Sequence, residues 1–389
     1  MGEKQFNLIN YQIVISHRPI NKTTQIVEEN NMNIYRPMVS SNFFSIVLIS
    51  FTLLTATICI AQTADSSIAV SIVSDEADAV LAILAKNQSN QTVSGQDWQR
   101  LFSSQGYVRL KKREASFQRN FTDEEFKAFV LSDTLDKRFQ ILKTTSENWK
   151  SADITGMGLR ALAYLPKGAQ IRAKIYPVIK PKTNSFVFET TTDPAIFLYL
   201  DPSISCDKFE NTLAHELYHI GYANSCETLA IEISSDSAIP KNCRTVLDLV
   251  GIFGEGFAML AAAGGPDIHP HDVSKPEDRM RWDNDMKNFN EDLKKVERFF
   301  LDILDNKFTS EEIQKIAYSF FGIQGPWYTV GWKMAITIEK KYGRARLIEC
   351  ICDPRILLLT YNQAASAYNR SERDSLAMWY PSLIEVIAK

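Results

Sequence analysis

Positive charge is not in excess in this chain. Against 43 lysines and arginines stand 46 acidic residues, a formal net charge of −3, so there is no basic surplus to neutralise nucleic-acid phosphates. Internal repeats and low-complexity tracts are absent too, which removes solenoids, fibres and disordered chains. Cysteine is sparse, six in 389 residues, and the spacing of Cys206, Cys226, Cys243, Cys350 and Cys352 fits no zinc-finger pattern. Histidine is scarcer still, five in the whole chain, so a histidine cluster carries information. What is left, 45% hydrophobic and 23% charged, is the composition of a globular protein with a core of good size.

One segment stands apart. Residues 43–60, FFSIVLISFTLLTATICI, form a charge-free apolar run with Arg36 before it and Ile60-Ala61-Gln62 after it. Basic, then apolar, then small is the layout of a secretory signal, which predicts an exported protein, periplasmic or extracellular, cleaved near residue 61. An uncleaved membrane anchor is the alternative, since the run approaches the ~20 residues that span a bilayer. A start at Met32 or Met38 would bring the run to the usual distance from the N-terminus. In an exported chain Cys226 and Cys243 make a pair by position, while Cys350 and Cys352 read as free thiols. Five cysteines after cleavage leave at least one unpaired.

Beyond residue 61 the texture changes twice. Residues 62–150 read as helical: DEADAVLAIL (75–84), TDEEFKAFVL (122–131) and TLDKRFQILKTTSENW (134–149) repeat apolar residues at three and four. Short apolar runs separated by turn residues follow, ALAYL (161–165), IRAKIYPVI (171–179), SFVFE (185–189) and AIFLYL (195–200), the pattern of strands in a small sheet. After Ser205 the chain returns to helices. The expected fold is α+β, mostly helical, with a small central sheet beside one functional helix. Residues 1–61 form an upstream extension with the signal, 62–150 a helical region, and 151–389 the catalytic region, continuous with 62–150.

The chemistry is carried by NTLAHELYHIGYA (211–223), which contains His215-Glu216-Leu217-Tyr218-His219. Residues four apart on a helix share a face one turn apart, so both imidazoles can reach one Zn2+ while Glu216 reaches the metal's water as general base. Phe209, Leu213, Leu217 and Ile220 fall together on the opposite, core-facing stripe. In a chain so poor in histidine, a chance HExxH has odds on the order of a few in a thousand.

Two ligands leave zinc short of the usual three. Tyr222 and Ser225 stand where a metzincin needs glycine and histidine, so that branch is excluded. Glu227, Glu232, Glu255, His269 and His271 remain. Glu255 is favoured because it lies in LDLVGIFGEGFAMLAAAGG (247–265), apolar on nearly every side, where a carboxylate is costly unless paired or bound to metal. Gly254 and Gly256 would let that helix approach a neighbour closely.

With these residues the chain resembles the gluzincins, metallopeptidases with HExxH on one helix and a glutamate ligand on a later one. HELYHIG, GEGFA and the downstream WYTVGWKMA are more closely similar to a bacterial family of zinc-dependent peptidases named without an established function, from about residue 75 to 385. The resemblance implies one Zn2+ on His215, His219 and Glu255, a peptide or protein substrate, and a tyrosine that steadies the oxyanion, matched by Tyr328 in Tyr328-Thr329-Val330-Gly331. It also implies a substrate-binding edge strand before the zinc helix, a place taken by AIFLYL. The Gly-x-Met-Glu-Asn element of the aminopeptidases is missing, which argues against that specificity. Rival readings are a zinc hydrolase of a non-peptide amide or ester, and an exported zinc-containing binding protein without catalysis.

Overall fold

A computed structural model describes residues 67–190, 192–371 and 375–388, with the side chains at 227, 228 and 230 left aside. The signal or anchor at 43–60, and the extension before it, lie outside the described residues. The described residues all fall within one compact unit. Along the chain come β1 (Ile68–Ile72), α1 (Asp75–Gln88), α2 (Gly95–Phe102), α3 (Gln105–Ser116), α4 (Asp123–Val130), α5 (Asp133–Asp136), α6 (Phe139–Lys150) and α7 (Ile154–Leu162). The remaining strands are β2 (Ile171–Val178), β3 (Phe186–Phe188) and β4 (Ala195–Tyr199). Then follow α8 (Cys206–Ser235), α9 (Lys241–Gly251), α10 (Gly254–Ala263), α11 (Pro276–Lys287), α12 (Phe289–Leu304), α13 (Ser310–Ser319), α14 (Pro326–Tyr342), α15 (Arg344–Cys352), α16 (Pro354–Ser371) and α17 (Pro381–Ile387). The class is α+β and mostly helical, as the patterning predicts.

The four strands form one mixed sheet in the order β1-β2-β4-β3, parallel except for the antiparallel β3–β4 pair. Two expectations are corrected here. The N-terminal region is not all helix, because IAVSI opens it as β1, paired in parallel with Ile171–Ile175. Nor is AIFLYL an edge strand. β4 lies between β2 and β3, and all five of its residues are buried, as a continuous apolar run requires when both faces are covered. The edges belong to β1 and β3.

Three smaller boundaries also move. ALAYL is not a strand: its first residues finish α7, whose start is capped by the Asp153 carboxylate accepting from Gly156 N. The 134–149 stretch divides into α5 and α6 across Lys137 and Arg138. The apolar 247–265 stretch is broken at Ile252–Phe253 into α9 and α10. By length and composition alone Lys241–Ala263 could cross a membrane, but 78% of its most apolar window is buried inside the fold.

Packing places α8 at the centre. Its stripe of Phe209, Leu213, Leu217 and Ile220 is fully buried, and the helix lies on β2 and α7 on one side and α10 on another. Gly221 permits that approach, since a Cβ there would meet Leu165 Cδ1 at 2.3 Å and Ile171 Cγ1 at 3.1 Å. On the other face of the sheet, Tyr176, Val178, Phe186 and Phe197 pack with Leu110 of α3 in a second apolar cluster.

Disulfide pairing departs from the expectation as well. Cys226, in the C-terminal half of α8, bonds Cys352, the last residue of α15, not Cys243. Cys243 is a buried free thiol, as is Cys350, and Cys206 is free and half-buried.

Candidate metal centre

The Ser205 hydroxyl starts α8 by accepting from Lys208 N at 3.2 Å, and the helix then carries His215 and His219 one turn apart. Their Nε2 atoms stand 3.0 Å from each other. Glu255, in the first turn of α10, brings Oε2 to 3.3 Å from His215 Nε2 and 3.5 Å from His219 Nε2. Among the described residues, these three form the one group of histidine, cysteine or acidic side chains close enough to share a metal ion.

The donor set fits zinc. Ligands ~2.0–2.1 Å from a tetrahedral zinc lie ~3.3–3.4 Å from one another, the range spanned by the three separations. Its chemistry is suitable too, with two imidazoles and one carboxylate. Burial lowers the His215 imidazole, against the hydrogen bond it makes to Glu255, which raises it; the lowering favours the neutral form that ligates metal. Burial would raise the Glu255 carboxyl, yet the charge of His219 and hydrogen bonds from both histidines outweigh this and hold it far below the usual carboxylate range.

Glu216 is 1% exposed, and its Oε2 is buried without a hydrogen-bond partner. Burial first, and the neighbouring Glu255 charge second, push its carboxyl well above the ordinary value. A high proton affinity beside the three donors is what a general base needs.

The structure draws Tyr328 to the same place. It lies in the first turn of α14, with its ring stacked towards His215 at 6.5 Å between centroids and edge-on to Phe321 at 6.4 Å. The crossing of α10 and α14 makes this possible. A Cβ on Gly256 would lie 2.0 Å from Trp332 N and 2.6 Å from Tyr328 O, and one on Gly331 would lie 2.5 Å from Phe253 O. Gly256 is therefore the contact glycine, while Gly254 has nothing within 4 Å.

The other candidates fall elsewhere. Glu232 is exposed, and the Glu227 side chain lies outside the described residues. His269 is held by Asp283, Nε2 to Oδ1 at 3.0 Å. His271, 2% exposed, engages Ser274 Oγ through Nδ1 at 3.0 Å. A cavity of about 280 Å3 lined by Asp207, Glu210 and Asn211 of α8, Ala262 of α10, Arg160 of α7 and His269 includes none of the three donors in its wall.

A pair of imidazoles and a carboxylate converging on one point, with an unpartnered glutamate beside them, is a donor group able to hold a metal ion. The chain belongs to the family described as "Putative zinc dependent peptidase (DUF5700)", whose profile matches residues 85–370 and so spans all of these residues. Neither a curated protein nor a solved structure matches the chain.

Proposed function

We propose that this protein is an exported zinc-dependent peptidase in which His215, His219 and Glu255 hold one Zn2+ and Glu216 is the general base. The observation that carries the reading is the mutual spacing of the three donor atoms, 3.0, 3.3 and 3.5 Å. When bound there, zinc supplies Lewis acidity towards a peptide carbonyl and brings the ionisation of water towards pH ~7.

The chain's own residues do the rest. Glu216 takes a proton as the water oxygen bonds to the carbonyl carbon, then delivers it to the departing amine nitrogen as the C–N bond breaks. Its unpartnered Oε2 leaves a lone pair free for this exchange. Tyr328 donates its phenolic hydrogen to the oxygen on which charge develops. The apolar run at 43–60 supports export, and the Cys226–Cys352 disulfide favours an oxidising compartment.

Metal analysis and peptide cleavage test this together. Purified wild type is expected to carry about one zinc per chain, and His219→Ala and Glu255→Ala little. Glu216→Gln should keep the zinc and lose ~10²–10⁴-fold in cleavage of a mixed peptide library. A folded wild type that takes up no zinc on reconstitution would overturn the reading, as would full activity in Glu216→Gln.

A further inference from the structure

Asn211 lies one helical turn before His215, ~6 Å along the axis. At ~100° per residue its side chain leaves α8 about 40° from the direction of the histidine. Ala262 stands in a like relation to Glu255, two turns further along α10, ~10 Å, and on the same face. Asn211 and Ala262 share the wall of the cavity of about 280 Å3, and α8 packs directly on α10. The cavity therefore continues the line of the two helices away from the three donors. An extended chain advances ~3.3–3.6 Å per residue, so a side chain within about two residues of a bond held at the donors reaches it.

The wall decides what can fill it. Asn211 is 9% exposed, and its amide makes no hydrogen bond among the described residues. An apolar occupant would shut that amide away from water at a cost, so the occupant brings a hydrogen-bonding group. Its charge follows from the carboxylates: Asp207, Glu210 and Asp272 line the cavity against one guanidinium, that of Arg160. Arg160 is already engaged, with Nη1 donating to Ala262 O at 3.3 Å and Nη2 3.9 Å from Glu210 Oε2. Asp272 is met from outside the wall by Arg279 at 3.1 Å. His269 is held on both ring nitrogens, by Asp283 and by His271 N. Asp207 has no ion pair among the described residues, and Lys208, next to it in sequence, points ~100° away round the helix. With both arginines counted, the three carboxylates leave one negative charge unmatched.

Ala262, Ala263, Ile268 and Val273 supply an apolar surface beside these groups. An aliphatic stem ending in a cation suits such a wall, because the stem lies on the apolar part while the head reaches the polar part. The volume of about 280 Å3 falls just below the ~300 Å3 at which pockets for drug-sized ligands begin, which is room for one side chain. We propose that this cavity is a specificity subsite for a lysine or arginine side chain of the peptide substrate, with Asn211 accepting from its head group and Asp207 supplying the charge. This inference rests on the peptidase reading.

The test uses the full chain, loaded with zinc, and one peptide library made in two forms, with free termini and with both termini capped. Cut sites are read by mass spectrometry. Lysine or arginine should be enriched about tenfold over methionine at one fixed position within about two residues of the cut, the scale of a charge-assisted hydrogen bond. Asp207→Lys should turn the preference towards glutamate, and Asn211→Leu should turn it towards leucine and methionine, with zinc content as the control for folding. Asp207 is exposed, so its variant keeps the test open even where Asn211→Leu fails to fold. Cleavage with no basic preference at any position, or a basic preference that survives Asp207→Lys, overturns the subsite and leaves the peptidase reading intact. Cleavage of neither form of the library removes both.

Discussion

Replacing Gly256 by alanine adds a single methyl group at the crossing of α10 and α14. That carbon would lie 2.0 Å from Trp332 N, 2.4 Å from the Gly331 carbonyl carbon and 2.6 Å from Tyr328 O. All three are backbone atoms, so no side chain can swing aside and the helices must part by roughly 1 Å. Overpacking of this kind costs ~1–3 kcal/mol or more, while the gain in helix propensity returns at most ~1 kcal/mol. A net loss of about 2 kcal/mol is expected. Glu255 is the residue beside it, so its carboxylate moves with the displaced helix, and zinc affinity should fall by ~10–100-fold, the scale set by disturbing a ligand's support. Gly254 provides the internal control: nothing lies within 4 Å of a Cβ there. Alanine at 254 should be neutral or stabilising by ~0.5–1 kcal/mol through the unfolded chain. Urea denaturation and competitive zinc titration of the two variants decide the matter. Equal stability and equal zinc affinity for Gly256→Ala and Gly254→Ala would refute the reasoning.

Other perturbations give separable results. Tyr328→Phe should keep zinc and lower kcat/KM by ~10²-fold, the usual effect of removing one oxyanion donor; unchanged kinetics would remove the tyrosine from the reaction. Glu76 is fully buried, and burial pushes its carboxyl up to about 8 despite the bond it accepts from Ile179 N. Unfolded, it ionises near 4.5, so between pH 4.5 and about 8 only the folded state keeps the proton. Stability therefore falls as pH rises through that window, by up to ~1.4 kcal/mol per unit. In Glu76→Gln the decline should be shallower, measured as ΔG of unfolding at pH 5, 6.5 and 8, and a parallel decline would exclude Glu76 as its source. The Cys226–Cys352 bond closes a loop with a sequence separation of 126, so chain entropy gives it ~5 kcal/mol of stabilisation. Cys352→Ser should be destabilised by several kcal/mol, whereas Cys243→Ser should show no loss of a cross-link by mass or by unfolding.

Much of the site was legible because it is local. His215, Glu216 and His219 sit on one helix, where spacing alone fixes their relation. Glu255 was legible through its surroundings, as a carboxylate inside an apolar stretch needs a counter-charge wherever the helix lies. Pairings between distant segments were not readable. IAVSI is a strand only because Ile171–Ile175 lies beside it, a partner remote in sequence. Position favoured Cys243 for Cys226, but the packing of α15 against α8 brings up Cys352. AIFLYL held a usable signal that family likeness overrode: a run with no polar alternation belongs inside a sheet rather than at its edge. ALAYL shows the opposite ambiguity, since a short apolar run does not say whether it ends a helix or forms a strand.

The contact of backbone on backbone between α10 and α14 also decides where the molecule can move. Helices separated by long side chains slide by letting those side chains change rotamer. Helices meeting through Gly256 and Gly331 have no such slack, so Glu255 and Tyr328 travel as one body. Motion about this pair must then fall to the segments that flank it in sequence, namely the 264–275 segment after α10 and the 319–325 turn before α14. In amide exchange, α10 and α14 should be the slowest of the site's elements and those two segments the fastest.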